Sequence, residues 1–185
     1  MWPWGHLAVG YLVYSLAVRL RERRPPTGPA AIALAFGTQF PDLVDKPLAW
    51  TVDLLPNGRS LAHSLLAALL VVVAVGVVLR RWHRGGVATA FGVGYLTHLF
   101  GDALPPAVSG DVDALGFLAW PLAPPVEYGT EQSFAAHLGE LGLDAVVSVE
   151  FGLAAAVVAL WLVDGAPGAR TAAAVPRWVG RKLST

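Results

Sequence analysis

The sequence predicts an all-α membrane protein of about five transmembrane helices, with its N-terminus outside, its C-terminus inside and a metal site at the external helix ends. Three observations carry that expectation. The 185 residues are 55% hydrophobic and only 14% charged, which is more apolar than a soluble domain of this size. Five apolar runs are separated by polar connectors, and basic residues gather after the first, third and fifth of them. Five side chains able to ligate a metal fall at the opposite ends of the same runs.

The runs at 61–79 and 145–163 are long enough to cross a bilayer, which takes about 20 apolar residues, and both end against charge. The run at 86–104 is of similar length but holds His98 and Asp102 near its end, where Pro105 and Pro106 are expected to stop the helix. The runs at 7–20 and 29–40 are short enough for a buried helix or a signal-peptide core. The first has no basic stretch ahead of it and no cleavage site behind it, so it reads as retained.

If each run crosses once, three basic clusters share one side: Arg19, Arg21, Arg23 and Arg24; Arg80, Arg81 and Arg84; and Arg170, Arg177, Arg181 and Lys182. The positive-inside rule makes that side cytoplasmic. A compact soluble helical domain whose basic clusters solvate loop ends is the alternative. The domain then covers 1–164, with an external loop at 105–144 and a basic tail at 165–185. The loop is long enough to be functional; Trp120 suits a membrane interface, and 130–141 reads as a short helix.

With no cysteine in the chain, a metal has to be held by imidazoles and carboxylates. The net charge of zero argues against nucleic acid as a partner. His6 precedes the first helix, Asp42 ends the second, His63 lies just inside the third, and His98 and Asp102 close the fourth. His98 and Asp102 stand four residues apart and share a helical face. Three imidazoles with two carboxylates suit one or two divalent ions, Zn²⁺ first or another first-row ion. Such an ion offsets the cost of burying these groups in an apolar segment.

Three further residues are candidates for the catalytic machinery. Asp45 reads as a general base, as an orienter of a ligand, or as a partner of Lys46. Arg59 suits bidentate phosphate binding. Glu150 either lines the site or pairs with a polar neighbour. Glu131 and His137 stand in the long loop, where a lid would be, and His83 belongs to a solvated basic turn.

The segments Gly5-His6, PDLVD from Pro41, RSLAHSLL from Arg59, GYLTHLFGD from Gly94 and Trp120-Pro121 resemble the YdjM-like family of inner-membrane metal-dependent hydrolases, also described as LexA-binding. The resemblance covers about residues 5–125. It implies His6, Asp42, His63, His98 and Asp102 as metal ligands, with Arg59 close by. The family pattern has a histidine directly before the arginine, where this chain has Gly58. More distantly, HLFGDALPP is similar to a segment of the zinc-dependent phospholipase C and single-strand nuclease superfamily, with Pro105 in place of a glutamine.

The expected function is a membrane-bound, metal-dependent hydrolase acting on a phosphoester or lipid-linked substrate through a metal-activated water. A metal or proton transporter and a non-catalytic membrane protein stapled by a metal are the alternatives. The apolar cytoplasmic halves of the runs argue against a polar path across the bilayer.

Overall fold

A computed structural model describes residues 1–128, 133–139, 142 and 145–173, and among these there are helices and turns but no strand. Thr130, Glu131, Arg177, Arg181 and Lys182 lie outside the described residues, as does the side chain of His137. The helices are α1 (Pro3–Glu22), α2 (Gly28–Trp50), α3 (Leu65–Arg81), α4 (Gly85–Ser109), α5 (Phe134–Gly139) and α6 (Ala145–Val163), with a 3₁₀ turn at Asp113–Ala119.

Local chemistry sets several of these boundaries. Pro3 opens α1, where its missing N–H costs nothing. Arg23 closes it in the left-handed region at φ 54°, its N–H returning to the Arg19 carbonyl. Ser64 caps α3 by accepting the Ala67 N–H at 3.1 Å, so the helix starts after His63 and not before it. His63 therefore sits in the preceding turn, two residues before the first residue of the helix that its apolar surroundings suggested.

Two helices run past their expected ends, Asp42 for the second and Pro105 and Pro106 for the fourth. α2 continues through Pro41 and Pro47 to Trp50, and α4 through Pro105 and Pro106 to Ser109. A helical proline forfeits one backbone bond but already has a helical φ, so neighbouring contacts can carry the chain onward. In α2 the Asp42–Lys46 pair at 2.8 Å lies between the two prolines, and α4 ends where Gly110 turns left-handed at φ 76°.

The expectation of about five membrane-crossing helices is overturned. Among the described residues one helix is long and apolar enough to cross, at Val146–Val163 in α6. α3 has 17 residues, short of the requirement of about 20. α1 ends in Arg19, Arg21 and Glu22, α2 carries Asp42, Asp45 and Lys46, and α4 dilutes its apolar run with glycines, His98 and Asp102. Without five crossings, the assignment of an external and a cytoplasmic side has no footing.

The arginine clusters and the ligand candidates nevertheless occupy opposite ends of one bundle. Tyr14 of α1 donates to the Gly86 carbonyl at the start of α4, and Arg19 pairs with Asp164 just past α6. At the other end His6 stacks on His98. The centre is packed by Tyr11, Leu34, Ala90, Phe91, Tyr95 and Leu99, all nearly sealed from solvent.

α2 and α4 touch backbone to backbone. A Cβ on Gly94 would lie 2.4 Å from the Leu34 carbonyl oxygen, and one on Gly37 would lie 2.3 Å from that of Phe91. Glycine at both positions lets the two axes close, which brings the Thr38 carbonyl of α2 within reach of His98 on α4. Outside, α3 and α6 present apolar faces, including Leu66, Leu69, Leu70, Val149, Val158 and Leu162.

Candidate metal centre

Each ligand candidate is held by the element that carries it. Asp45, fully buried on α2, accepts the backbone N–H groups of Ser60, Ala62 and His63 at 2.8, 2.8 and 3.2 Å. It also takes the Nδ1 proton of His63 at 2.8 Å. Three of these four donors meet Oδ2 and one meets Oδ1, so the carboxylate is committed to the turn and to the His63 ring. It shapes the 57–64 turn and aims His63, the orienter among the roles the sequence left open for it.

His98 is aimed in the same way, Nδ1 donating to the Thr38 carbonyl at 2.7 Å. Both rings thus spend their Nδ1 protons elsewhere, and their Nε2 atoms face each other at 3.1 Å. Two bare imidazole lone pairs repel at that distance, so something positive has to lie between them. Two nitrogens bound to one tetrahedral first-row ion stand about 3.3 Å apart. The spacing fits a shared cation.

Around this pair lie the other candidates. Asp102 Oδ2 is 3.5 Å from His63 Nε2 and 3.8 Å from His98 Nε2. Asp42 Oδ1 is 3.6 Å from the former and 3.9 Å from the latter. His6 Nε2 is 3.3 Å from Asp102 Oδ1, its ring is stacked 3.8 Å from that of His98, and its Nδ1 is buried without a hydrogen-bond partner. The ligand atoms form two overlapping groups, His6–His98–Asp102 and Asp42–His63–His98. His98 belongs to both and has one free nitrogen.

Arg59 grips Asp102 with Nε at 2.9 Å and Nη2 at 3.3 Å. Its guanidinium lies 5.8 Å from the Tyr128 ring centroid, and Asn57 ties this region to the Val126 carbonyl at 2.9 Å. The Met1 amine also stands 3.0 Å from Asp102 Oδ1. Gly58 lies against the Trp50 indole, whose Cζ2 would be 2.9 Å from an added Cβ. That ring occupies the space a histidine at this position would need.

The electrostatics follow from this crowding. Burial pushes the Asp102 carboxyl up, but Arg59, His6 and His63 outweigh it and hold the group well below the usual carboxylate range. Asp42 is likewise held down against burial by His63, Lys46 and His98. His63 resists its own burial through Asp102, Asp42 and Asp45 and is pushed up to about 10. Burial and the neighbouring His6 drive His98 down to about 3. A proton on His63 Nε2 then stands between the two rings, where the geometry also fits a metal cation.

Glu150 stands apart from these ligand groups. Buried on α6, it accepts the Trp2 N–H at 3.0 Å, and its Oε2 would be 2.6 Å from a Cβ on Gly5. It anchors the first turn of α1, one residue from His6, and of the roles expected for it the pairing role is the one its contacts describe. The Thr38 carbonyl and Tyr128 were missed by sequence reasoning, and Lys46, expected as a partner of Asp45, pairs with Asp42 instead. A backbone acceptor has no residue-type signature, and the i, i+4 spacing of Asp42 and Lys46 becomes a signal once Pro41 is seen to lie inside a helix.

The family model described as YdjM inner membrane protein matches residues 1–166. No curated protein and no solved structure matches the chain.

Proposed function

We propose, from the premise that the chain belongs to the YdjM inner membrane protein family, that this membrane protein is a metal-dependent hydrolase of phosphoesters. The observation that supports it is the His63–His98 pair, two oriented Nε2 atoms 3.1 Å apart with Asp42 and Asp102 beside them. His6, Asp42, His63, His98 and Asp102 are the holding set. The single free nitrogen of His98 favours one ion, and imidazole–carboxylate donors without thiolate suit zinc or another first-row divalent cation. Such an ion supplies Lewis acidity toward a phosphoryl oxygen and a bound water of lowered pKa.

The protein's own groups do the rest. Asp45 and the Thr38 carbonyl lock both imidazole rings, so the ligand set needs little rearrangement. Arg59 keeps Asp102 ionised with two of its N–H groups. Its side chain is about a third exposed and also meets Tyr128, and its outward N–H groups would take a phosphate oxygen. Access is from the side of Asp42 and Arg59, because His6, His63 and His98 are sealed.

That sealing favours a second reading, an ion that staples four elements together without turning over substrate. Metal analysis of detergent-purified wild type, His98→Ala and Asp102→Ala, together with turnover of bis(p-nitrophenyl) phosphate in added Zn²⁺ or Mn²⁺, separates the readings. The hydrolase gives metal and turnover in the wild type and neither in the variants. Undiminished metal in both variants overturns the centre, and bound metal without turnover of phosphoesters leaves the staple.

A further inference from the structure

Beside the cluster runs a groove of about 290 Å³ lined by Trp2, Leu43, Pro47, Trp50, Phe134 and Leu138, with Gln39, Asp42 and Lys46 on its rim. Its floor is the part of α2 that continues past Pro41. Asp42, Lys46 and Trp50 follow one another at four-residue steps along one face, and Gln39, Leu43 and Pro47 form the adjacent stripe. Asp42 is common to both sites. One of its oxygens faces His63 at 3.6 Å, and the other takes the Lys46 ammonium at 2.8 Å. Farther along, the Lys46 ammonium lies 5.5 Å from the Trp50 centroid. Phe134 of α5 then meets Trp50 edge-on at 5.0 Å.

The surface thus grades from ligand cluster to cation to aromatic wall. Leu43, Phe134 and Leu138 are about half exposed or more, a cost that a hydrocarbon occupant removes. The volume lies at the lower edge of small-molecule sites, which suits one chain and not two. We propose that this groove holds the single hydrocarbon chain of an amphiphile whose anionic phosphate head lies at Lys46, beside the cluster. The assignment rests on the hydrolase reading for the role of the head, while the groove itself is independent of the metal.

The test is photolabelling of the full chain in lipid nanodiscs with dodecyl phosphate carrying a diazirine near its chain end. Crosslinks are expected at Trp50, Phe134 or Leu138. Leu43→Gln at an exposed position and Leu138→Trp, which fills the groove, each lower labelling about tenfold, the loss expected when roughly two methylenes lose their contacts. His98→Ala is expected to lose metal but keep the label, so failure of the hydrolase reading and failure of this one look different. Unlabelled dodecyl phosphate is expected to compete and dodecanol to compete about tenfold less well, the head being worth a charge-assisted hydrogen bond. Labelling unchanged in both groove variants overturns the proposal. So does labelling that falls mainly in the other apolar groove, about 350 Å³ between α1, α2 and α6 at Ile32, Val158 and Trp161, or equal competition by dodecanol.

Discussion

The two ends of the bundle each bury a polar cluster, and they are built on opposite terms. At the arginine end Asp164 accepts from Tyr11 Oη at 2.8 Å and Ser15 Oγ at 2.7 Å, and pairs with Arg19. One carboxylate meets three donors, all from this chain, although the Nε of Arg19 is buried without a partner. At the other end two carboxylates and three imidazoles crowd together with two ring nitrogens 3.1 Å apart, and one buried His6 nitrogen has no partner. Similar burial therefore carries different meaning. A carboxylate met by three neighbouring donors is a clasp, whereas imidazole nitrogens that converge on one point are the feature on which the proposed cation site rests.

The comparison breaks most readily at His98. His98→Ala removes a nitrogen common to both ligand groups and is expected to weaken Zn²⁺ binding by more than the ~10–100-fold typical of losing an outer hydrogen-bond partner. Zn²⁺ at about 100 times its Kd stabilises the wild type by about 2.7 kcal/mol, so melting curves with and without Zn²⁺ should separate for wild type and coincide for the variant. Coincident wild-type curves would make both ends clasps.

Next comes Asp45→Asn, which leaves every ligand in place but can no longer accept the His63 Nδ1 proton together with three backbone N–H groups. Zn²⁺ affinity should fall by ~10–100-fold, read by competition with a chromogenic chelator. Unaltered affinity would remove Asp45 from the centre.

Gly94→Ala acts on the packing that unites the halves of the site. Its Cβ would meet the Leu34 carbonyl at 2.4 Å, and forcing α2 from α4 should cost about 1–3 kcal/mol. Because the Thr38–His98 bond spans that seam, Zn²⁺ affinity should fall as well. A stability loss with intact affinity would show that the seam does not set the site.

The smallest effect belongs to the clasp. Asp164→Asn should cost about 1–3 kcal/mol, from unmatched buried donors, and leave Zn²⁺ binding unchanged. Burial pushes the Asp164 carboxyl up, but Ser15, Tyr11 and Arg19 outweigh it and lower its pKa. A carboxyl depressed in the folded state stabilises fully above its unfolded pKa of about 3.9. The difference between wild type and variant should therefore be constant near neutral pH and shrink as pH falls below about 4. A gap that widens on acidification would contradict the assignment of Asp164 as an ionised acceptor.

Much of the candidate site was legible before any coordinates. The i, i+4 spacing of His98 and Asp102 and the recurrence of His6, Asp42 and His63 at run ends placed all five at one end of a helical chain. Helix limits were less legible at the prolines. Proline's local cost argues for a stop at Phe40 and Leu104, while contacts formed after folding carry α2 to Trp50 and α4 to Ser109. The count of crossings failed because each of the five apolar runs was given one crossing. α3 is too short, and α1, α2 and α4 spend part of their length on polar groups.

The sequence by itself determined the helical class, the order of the runs and the segregation of arginines from ligand candidates, because periodicity and residue type act locally and are written along the chain. Tertiary structure alone decided which polar residues have their partners. Asp45 became an orienter, Glu150 an anchor for α1 and Asp164 a clasp once distant donors arrived. His63 and His98 were left facing each other, because their Nδ1 protons went to groups 18 and 60 residues away. Hydrogen-bond satisfaction is a property of packing, and packing across such separations has no local signature.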